Sequence, residues 1–168
     1  MNITTRKSIL VSTFCGALLL VTAPVMAKDK DKVLQANLSG AQEVPEVDTP
    51  AKGKARLKFD AGFTEVEVSV EVKGLVGSVT GVHLHCARPS ANGPVAVGLI
   101  SPGMLVFNGK KVKGTLTNAD FTGADCVPST GRPITNVAGL AFAAQDGLIY
   151  VNVHTDAHPP GEIRGQFR

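Results

Sequence analysis

The segment TEVEVSVEVK, Thr64 to Lys73, constrains this chain more than any other. Val66, Val68, Val70 and Val72 alternate with Glu65, Glu67, Ser69 and Glu71. A side-chain period of two fits an extended strand with one buried face and one wet face, and it does not fit a helix. A strand of this kind needs neighbours, because alone it would expose both its valine row and its unpaired backbone groups. Seven shorter runs read the same way: VLQANL (33–38), KARLKFD (54–60), TGVHLHC (80–86), PVAVGLI (94–100), KVKGTL (111–116), LIYVNVH (148–154) and EIRGQF (162–167). DAG (60–62), ANGP (91–94), FNGK (107–110) and HPPGE (158–162) punctuate them as turns. About eight short strands with frequent turns predict an all-β antiparallel sandwich or barrel.

The exception is Ile134 to Gly147, where Val137, Leu140, Ala141 and Ala144 recur at helical spacing. Asn136 is the expected cap and Gly147 the expected end. TNAD (117–120) predicts a further helical turn with Thr117 as its cap. Both lie in the crossover between the sixth and seventh strands, so a short helix is expected before the last two strands.

The first 27 residues read as a secretory signal. Arg6 and Lys7 precede an apolar run from Ile9 to about Val21, and Val25-Met26-Ala27 supplies a small-residue cleavage pattern. The run is shorter than the roughly 20 residues a spanning helix needs. The mature chain then begins at Lys28, with 28–32 as a solvated tail and 33–168 as one domain. It is expected in the periplasm or beyond the cell, without a membrane span. Of the 17 basic residues, two lie in this leader, leaving 15 against 14 acidic ones. That near-balance, with no tryptophan and one tyrosine, gives no basis for a nucleic-acid partner. Cys15 belongs to the leader. The two remaining thiols, Cys86 and Cys126, most simply form one disulfide in an oxidising compartment, with free or metal-bound thiols as the other reading.

Parity also places the histidines, of which the chain has four. In TGVHLHC, Val82, Leu84 and Cys86 share one face, which sends His83 and His85 to the opposite, outer one. In LIYVNVH, Ile149, Val151 and Val153 point inward, so Tyr150, Asn152 and His154 point outward. If the two strands pair, three imidazoles gather on one patch. Residues two apart on a strand are separated by roughly 7 Å, and their rings can lean together onto one ion with bonds of about 2 Å. Copper and zinc both accept imidazole nitrogen, and His158 in the turn DAHPPG is a candidate fourth ligand. The plain alternative is a polar sheet face on which these rings bond to Asn152, Thr155, Glu162 or Arg164.

LSGAQEVPEVDTPAKGKARLKFD (38–60), VTGVHLHCARPSANGPVAVGLI (79–100) and IYVNVHTDAHPPGEIRGQF (149–167) closely resemble the chordin-domain (CHRD) family, over about Val33 to Phe167. The resemblance implies an immunoglobulin-like all-β domain, found alone in exported bacterial proteins and repeated in animal chordin. The family's His-x-His falls on His83 and His85, the histidine of its VNVHT on His154, and its GEIRGQ on Gly161 to Gln166. Some bacterial members carry cysteines matching Cys86 and Cys126. His158 departs from the pattern, where a small or amide residue is usual, and Glu46 stands where proline is common. The family brings no established catalytic residues.

Structural readings suit the remaining motifs. Gly161 and Gly165 permit a tight turn and close backbone approach. Glu162 and Arg164 would pair across strands, or Glu162 or Asp156 would orient a metal-bound imidazole. GAQEVP (40–45) fixes the turn after the first strand, and a ligand contact by Gln42 or Glu43 has no sequence support. No nucleophile elbow, phosphate loop or His-Glu-x-x-His motif is present. Four histidines cannot furnish the two-metal site of a copper–zinc dismutase, so metal-dependent redox catalysis has little support. The expected role is a non-enzymatic exported module that binds a protein or surface ligand, with copper or zinc binding as the alternative.

Overall fold

The computed structural model describes Met1 and residues 31–100, 105–121 and 125–168, so the expected signal sequence beyond Met1 lies outside the described residues. Eight strands form: β1 (Lys32–Ser39), β2 (Lys52–Phe59), β3 (Glu65–Lys73), β4 (Val79–Cys86), β5 (Val95–Ile100), β6 (Lys111–Thr117), β7 (Ile149–Thr155) and β8 (Ile163–Gln166). All eight runs read from the sequence are strands, with ends that differ from the expected ones by at most two residues. Two short helices, α1 (Val127–Thr130) and α2 (Val137–Gln145), lie between β6 and β7. Asn136 caps α2 by accepting from the Gly139 N–H at 2.7 Å, and Gly147 follows with φ 68°. Thr117 and Asp120 form a reciprocal capping box around the 3-10 turn Asn118–Asp120. The turn α1 was not anticipated, because VPST carries no apolar periodicity.

The strands make one antiparallel sheet in the order β5-β4-β7-β8-β1-β2-β3-β6. It curls into a nearly closed barrel. The chain leaving β5 ties to it through the Leu105 N–H on the Leu99 carbonyl at 2.9 Å, and Phe107 bridges to Val112 of β6. The valine row of β3 is at most 9 % exposed. It shares one apolar core with Leu57 and Phe59 of β2, Leu84 of β4 and Val151 and Val153 of β7. Val137, Leu140, Ala141 and Ala144 of α2 join that core. Burial of these side chains, each stabilising by about 1.5–3 kcal/mol when large, drives the assembly. No helix among the described residues is long and apolar enough to cross a membrane.

Cys86, ending β4, is bonded to Cys126, just before α1, with both sulfurs' residues fully buried. The bridge ties the sheet to the crossover. It also anchors the base of the loop that follows β4, which covers the histidine-bearing face.

Candidate functional site

Strand β4 pairs with β7, and β7 with β8, so the register of these three strands arranges the outer face. Gly81 lies opposite His154, His83 opposite Asn152 and His85 opposite Tyr150. Asn152 and Tyr150 in turn lie opposite Arg164 and Gln166. Gly81 has no side chain, and the His83 ring lies over it, beside His154. A Cβ at Gly81 would stand 3.1 Å from the His83 ring and 3.7 Å from Cδ2 of His154. The imidazole centroids are separated by 4.8 Å (His83–His154), 5.7 Å (His83–His85) and 5.9 Å (His85–His154). One ring nitrogen from each residue lies within 4.8 Å of the others.

Parity is correct for these residues, but the face they share is not a wet surface. Tyr150, Asn152, Glu162 and Arg164 are at most 3 % exposed and His85 is 9 % exposed. Two loops cover them, the stretch after β1 around Glu43 and the stretch 87–94 after β4. The Asn92 amide joins these loops by donating to the Val44 carbonyl at 2.6 Å. Alternation tells only which side of the sheet a residue takes. It carries no information about loops folded over that side.

Backbone carbonyls of the 87–94 loop and of the turn between β7 and β8 determine the chemistry of the rings. Nδ1 of His85 lies 2.9 Å from the Gly93 carbonyl, and Nδ1 of His154 lies 2.9 Å from the Pro159 carbonyl. A carbonyl only accepts, so Nδ1 carries the hydrogen in both rings and Nε2 is left with its lone pair. Both Nε2 atoms are buried without a hydrogen-bond partner among the described residues. Glycine is required at 93, since a Cβ there would collide with the Cys86 carbonyl. Burial pushes the His85 imidazole down to about 4, against the Gly93 carbonyl, which favours the charged ring. Burial also lowers His154, opposed by the Pro159 carbonyl. These two rings are therefore neutral near pH 7, as metal ligation demands.

A polar layer adjoins the rings. Tyr150 stacks on His85 with 4.9 Å between centroids and a 9° interplanar angle. The Arg164 guanidinium lies 3.5 Å from the Tyr150 centroid. It donates to the Ala91 carbonyl at 2.9 Å, the Arg88 carbonyl at 3.2 Å, Asn92 Oδ1 at 3.3 Å and Gln166 Oε1 at 3.5 Å. Asn152 donates to Glu43 Oε2 at 3.3 Å, while Glu43 Oε1 and Asn152 Oδ1 have no hydrogen-bond partner among the described residues. Burial pushes the Glu43 carboxyl up to about 7, although Arg164 and Asn152 favour its charged form. A cleft of about 440 Å³ between the covering loops is lined by Gln42, Glu43, Val44, Ser90 and Arg164 among others. Gly161, at φ 139°, brings backbone against Asn152, where a Cβ would sit 2.5 Å from its amide.

The structure separates the other sequence candidates from the rings. His158 is outside the group of three. Its backbone closes the turn, with its N–H on Thr155 Oγ1 at 3.2 Å and its carbonyl accepting from Gly161 N–H at 3.0 Å. Glu162 pairs neither with Arg164 nor with an imidazole. Its carboxyl accepts from Thr49 Oγ1 (2.8 Å), the Val76 N–H (2.9 Å) and Thr155 Oγ1 (2.9 Å), pinning three segments together. Asp156 accepts from the Ser78 N–H at 2.9 Å, another tie between segments. Glu162→Ala is expected to lower stability by about 2 kcal/mol by stranding those donors, with Glu162→Gln costing about half as much. Urea unfolding of both variants checks this, and equal losses would contradict it.

Sequence reasoning underweighted Glu43, Tyr150 and the carbonyls of Gly93 and Pro159. Tyr150 was legible by parity. The others depend on loop folding, for which GAQEVP and ANGP carry only turn signals. The description CHRD domain belongs to the family model that matches residues 34–167, nearly the whole chain. No curated protein sequence matches the chain.

Proposed function

We propose, from the premise that this chain belongs to the CHRD-domain family, that it is an exported, non-enzymatic module binding one copper or zinc ion through His83, His85 and His154. The observation that carries the reading is the pair of buried, lone-pair-bearing Nε2 atoms on His85 and His154, oriented by backbone carbonyls. Holding the distal nitrogen of a metal-binding imidazole by an acceptor is the usual way such rings are aligned and made more basic. Bonds of about 2 Å in a tetrahedral site draw nitrogens to roughly 3.3 Å, so ligation asks each ring to move inward by about 1 Å. Between the two metals the intrinsic order favours Cu(II) over Zn(II). Export is supported by the disulfide and by the signal pattern in residues 1–27.

The test is a titration of the metal-stripped protein with Cu(II) and Zn(II) at neutral pH beside a His83→Ala, His85→Ala variant. Micromolar or tighter binding is expected for the native protein. Changes outside the ligand set cost 10–100-fold, so loss of two ligands is expected to cost about a hundredfold or more. Equal, weak binding by both proteins would remove the metal reading and leave a polymer- or protein-binding module.

A further inference from the structure

We infer that the metal-loaded centre takes a small monovalent anion as an exogenous ligand, an inference that rests on the metal-binding reading above. The first ground is donor count. Among the described residues the group comprises three imidazoles, without a carboxylate or thiolate among its members. Three protein ligands leave a fourth position of a zinc or copper site open to solvent or an external ligand. They also leave the ion's double positive charge undiminished.

The second ground is the charge around it. Arg164 is 2 % exposed and takes part in none of the salt bridges among the described residues, which involve Lys58 and Lys111. Its four acceptors, two backbone carbonyls and the side chains of Asn92 and Gln166, are all neutral. Its guanidinium lies 3.5 Å from the centroid of Tyr150, the ring that stacks on His85. A guanidinium stays charged in proteins. A divalent ion together with Arg164 therefore exceeds Glu43 by two positive charges, even with that carboxyl fully ionised. In a buried setting such an excess draws in an anion far more strongly than in water.

The third ground is size. Centroid separations of 4.8–5.9 Å hold a single ion between the rings, so a further ligand has to reach it from one side and be only a few atoms long. The loops around Glu43 and Asn92, joined by the Asn92–Val44 bond, narrow the approach. Azide or cyanide fits these limits, whereas an aromatic carboxylate does not.

The experiment adds sodium azide to the copper-loaded protein in chloride-free buffer and follows the azide-to-copper charge-transfer absorption and the electron paramagnetic resonance spectrum. One azide per copper is expected, with millimolar or tighter affinity, and benzoate should leave both spectra unchanged. Arg164→Gln should weaken azide about tenfold, while Arg164→Lys, which keeps the charge, should retain most of the affinity. Circular dichroism confirms that the variants are folded. A copper spectrum of three-nitrogen type that azide leaves unaltered at about 100 mM would overturn this inference and spare the metal reading. Equal azide affinity in native protein and folded Arg164→Gln would also overturn it, since the charge argument would then fail. Failure to take up copper would sink both.

Discussion

Replacing Cys86 and Cys126 together by alanine is expected to lower unfolding stability by about 4 kcal/mol. The bridge closes a loop of 40 residues. On the chain-entropy model, the open loop gives the unfolded chain freedom worth about that amount. A domain of this size has a net stability of about 5–15 kcal/mol, so the loss would bring it close to unfolding at ordinary temperature. Both cysteines are fully buried and packed in the core cluster, so the missing sulfurs add packing losses in the same direction. Urea denaturation of native and double-alanine proteins, both without reductant, measures the effect. Native protein treated with reductant should show a mass gain of two hydrogens and a similar fall in stability. Two freely alkylated thiols in untreated native protein, or a loss below about 1 kcal/mol, would contradict the bridge's stabilising role. His85 is the immediate neighbour of Cys86, and Gly93 sits on the loop the bridge anchors. The variant should therefore also bind metal less tightly, because the carbonyl that orients His85 is less firmly held.

The second large effect is a pH dependence. Glu43 is 6 % exposed, and its carboxyl is pushed from 4.5 to about 7 mainly by burial, with Arg164 and Asn152 pulling the other way. Below pH 4.5 the group is neutral in both folded and unfolded chains. Above pH 4.5 the unfolded chain releases the proton and the folded chain retains it. Each pH unit then lowers native stability by about 1.4 kcal/mol relative to a protein lacking the group, until the folded carboxyl ionises near pH 7. Glu43→Gln removes this liability at nearly constant shape. Relative to the native protein, the metal-free variant is expected to gain about 3 kcal/mol between pH 4.5 and pH 7.5. His85 acts in the opposite sense. With its ring held down to about 4, its stability contribution is full above about pH 6.5 and is lost as pH falls toward 4. That contribution is common to both proteins and cancels in the difference. Parallel stability–pH curves for native and Glu43→Gln proteins would show that Glu43 titrates as an ordinary carboxyl.

The same carboxyl also illustrates where sequence reasoning stops. GAQEVP signals a turn, and an acidic residue in a turn ordinarily faces water. Here Glu43 turns inward to Asn152, its neighbour in space but 109 positions away along the chain. Glu162 and Arg164 give a second case. Alternation from Glu162 into β8 places both on the side away from the hydrocarbon. It suggests a mutual pair, whereas Glu162 takes donors from Thr49, Val76 and Thr155, and Arg164 is wrapped by carbonyls of the loop after β4.

What the amino-acid order alone determined is side-chain direction. A strand's period of two is local, so TEVEVSVEVK, TGVHLHC and LIYVNVH each declare a core side and an opposite side without reference to any neighbour. The helix from Val137 and its Asn136 cap were legible for the same reason, as was the choice of Cys86 and Cys126 as partners once the leader was set aside. Only the tertiary structure decided which strands lie side by side, and hence that His83, His85 and His154 converge while His158 does not. It alone also covered that side with two loops, withdrawing His85, Asn152 and Arg164 from water, and brought up the Gly93 and Pro159 carbonyls that set which ring nitrogen is bare. Contacts between segments far apart in the chain arise when packing closes the barrel, and no short stretch of sequence contains them.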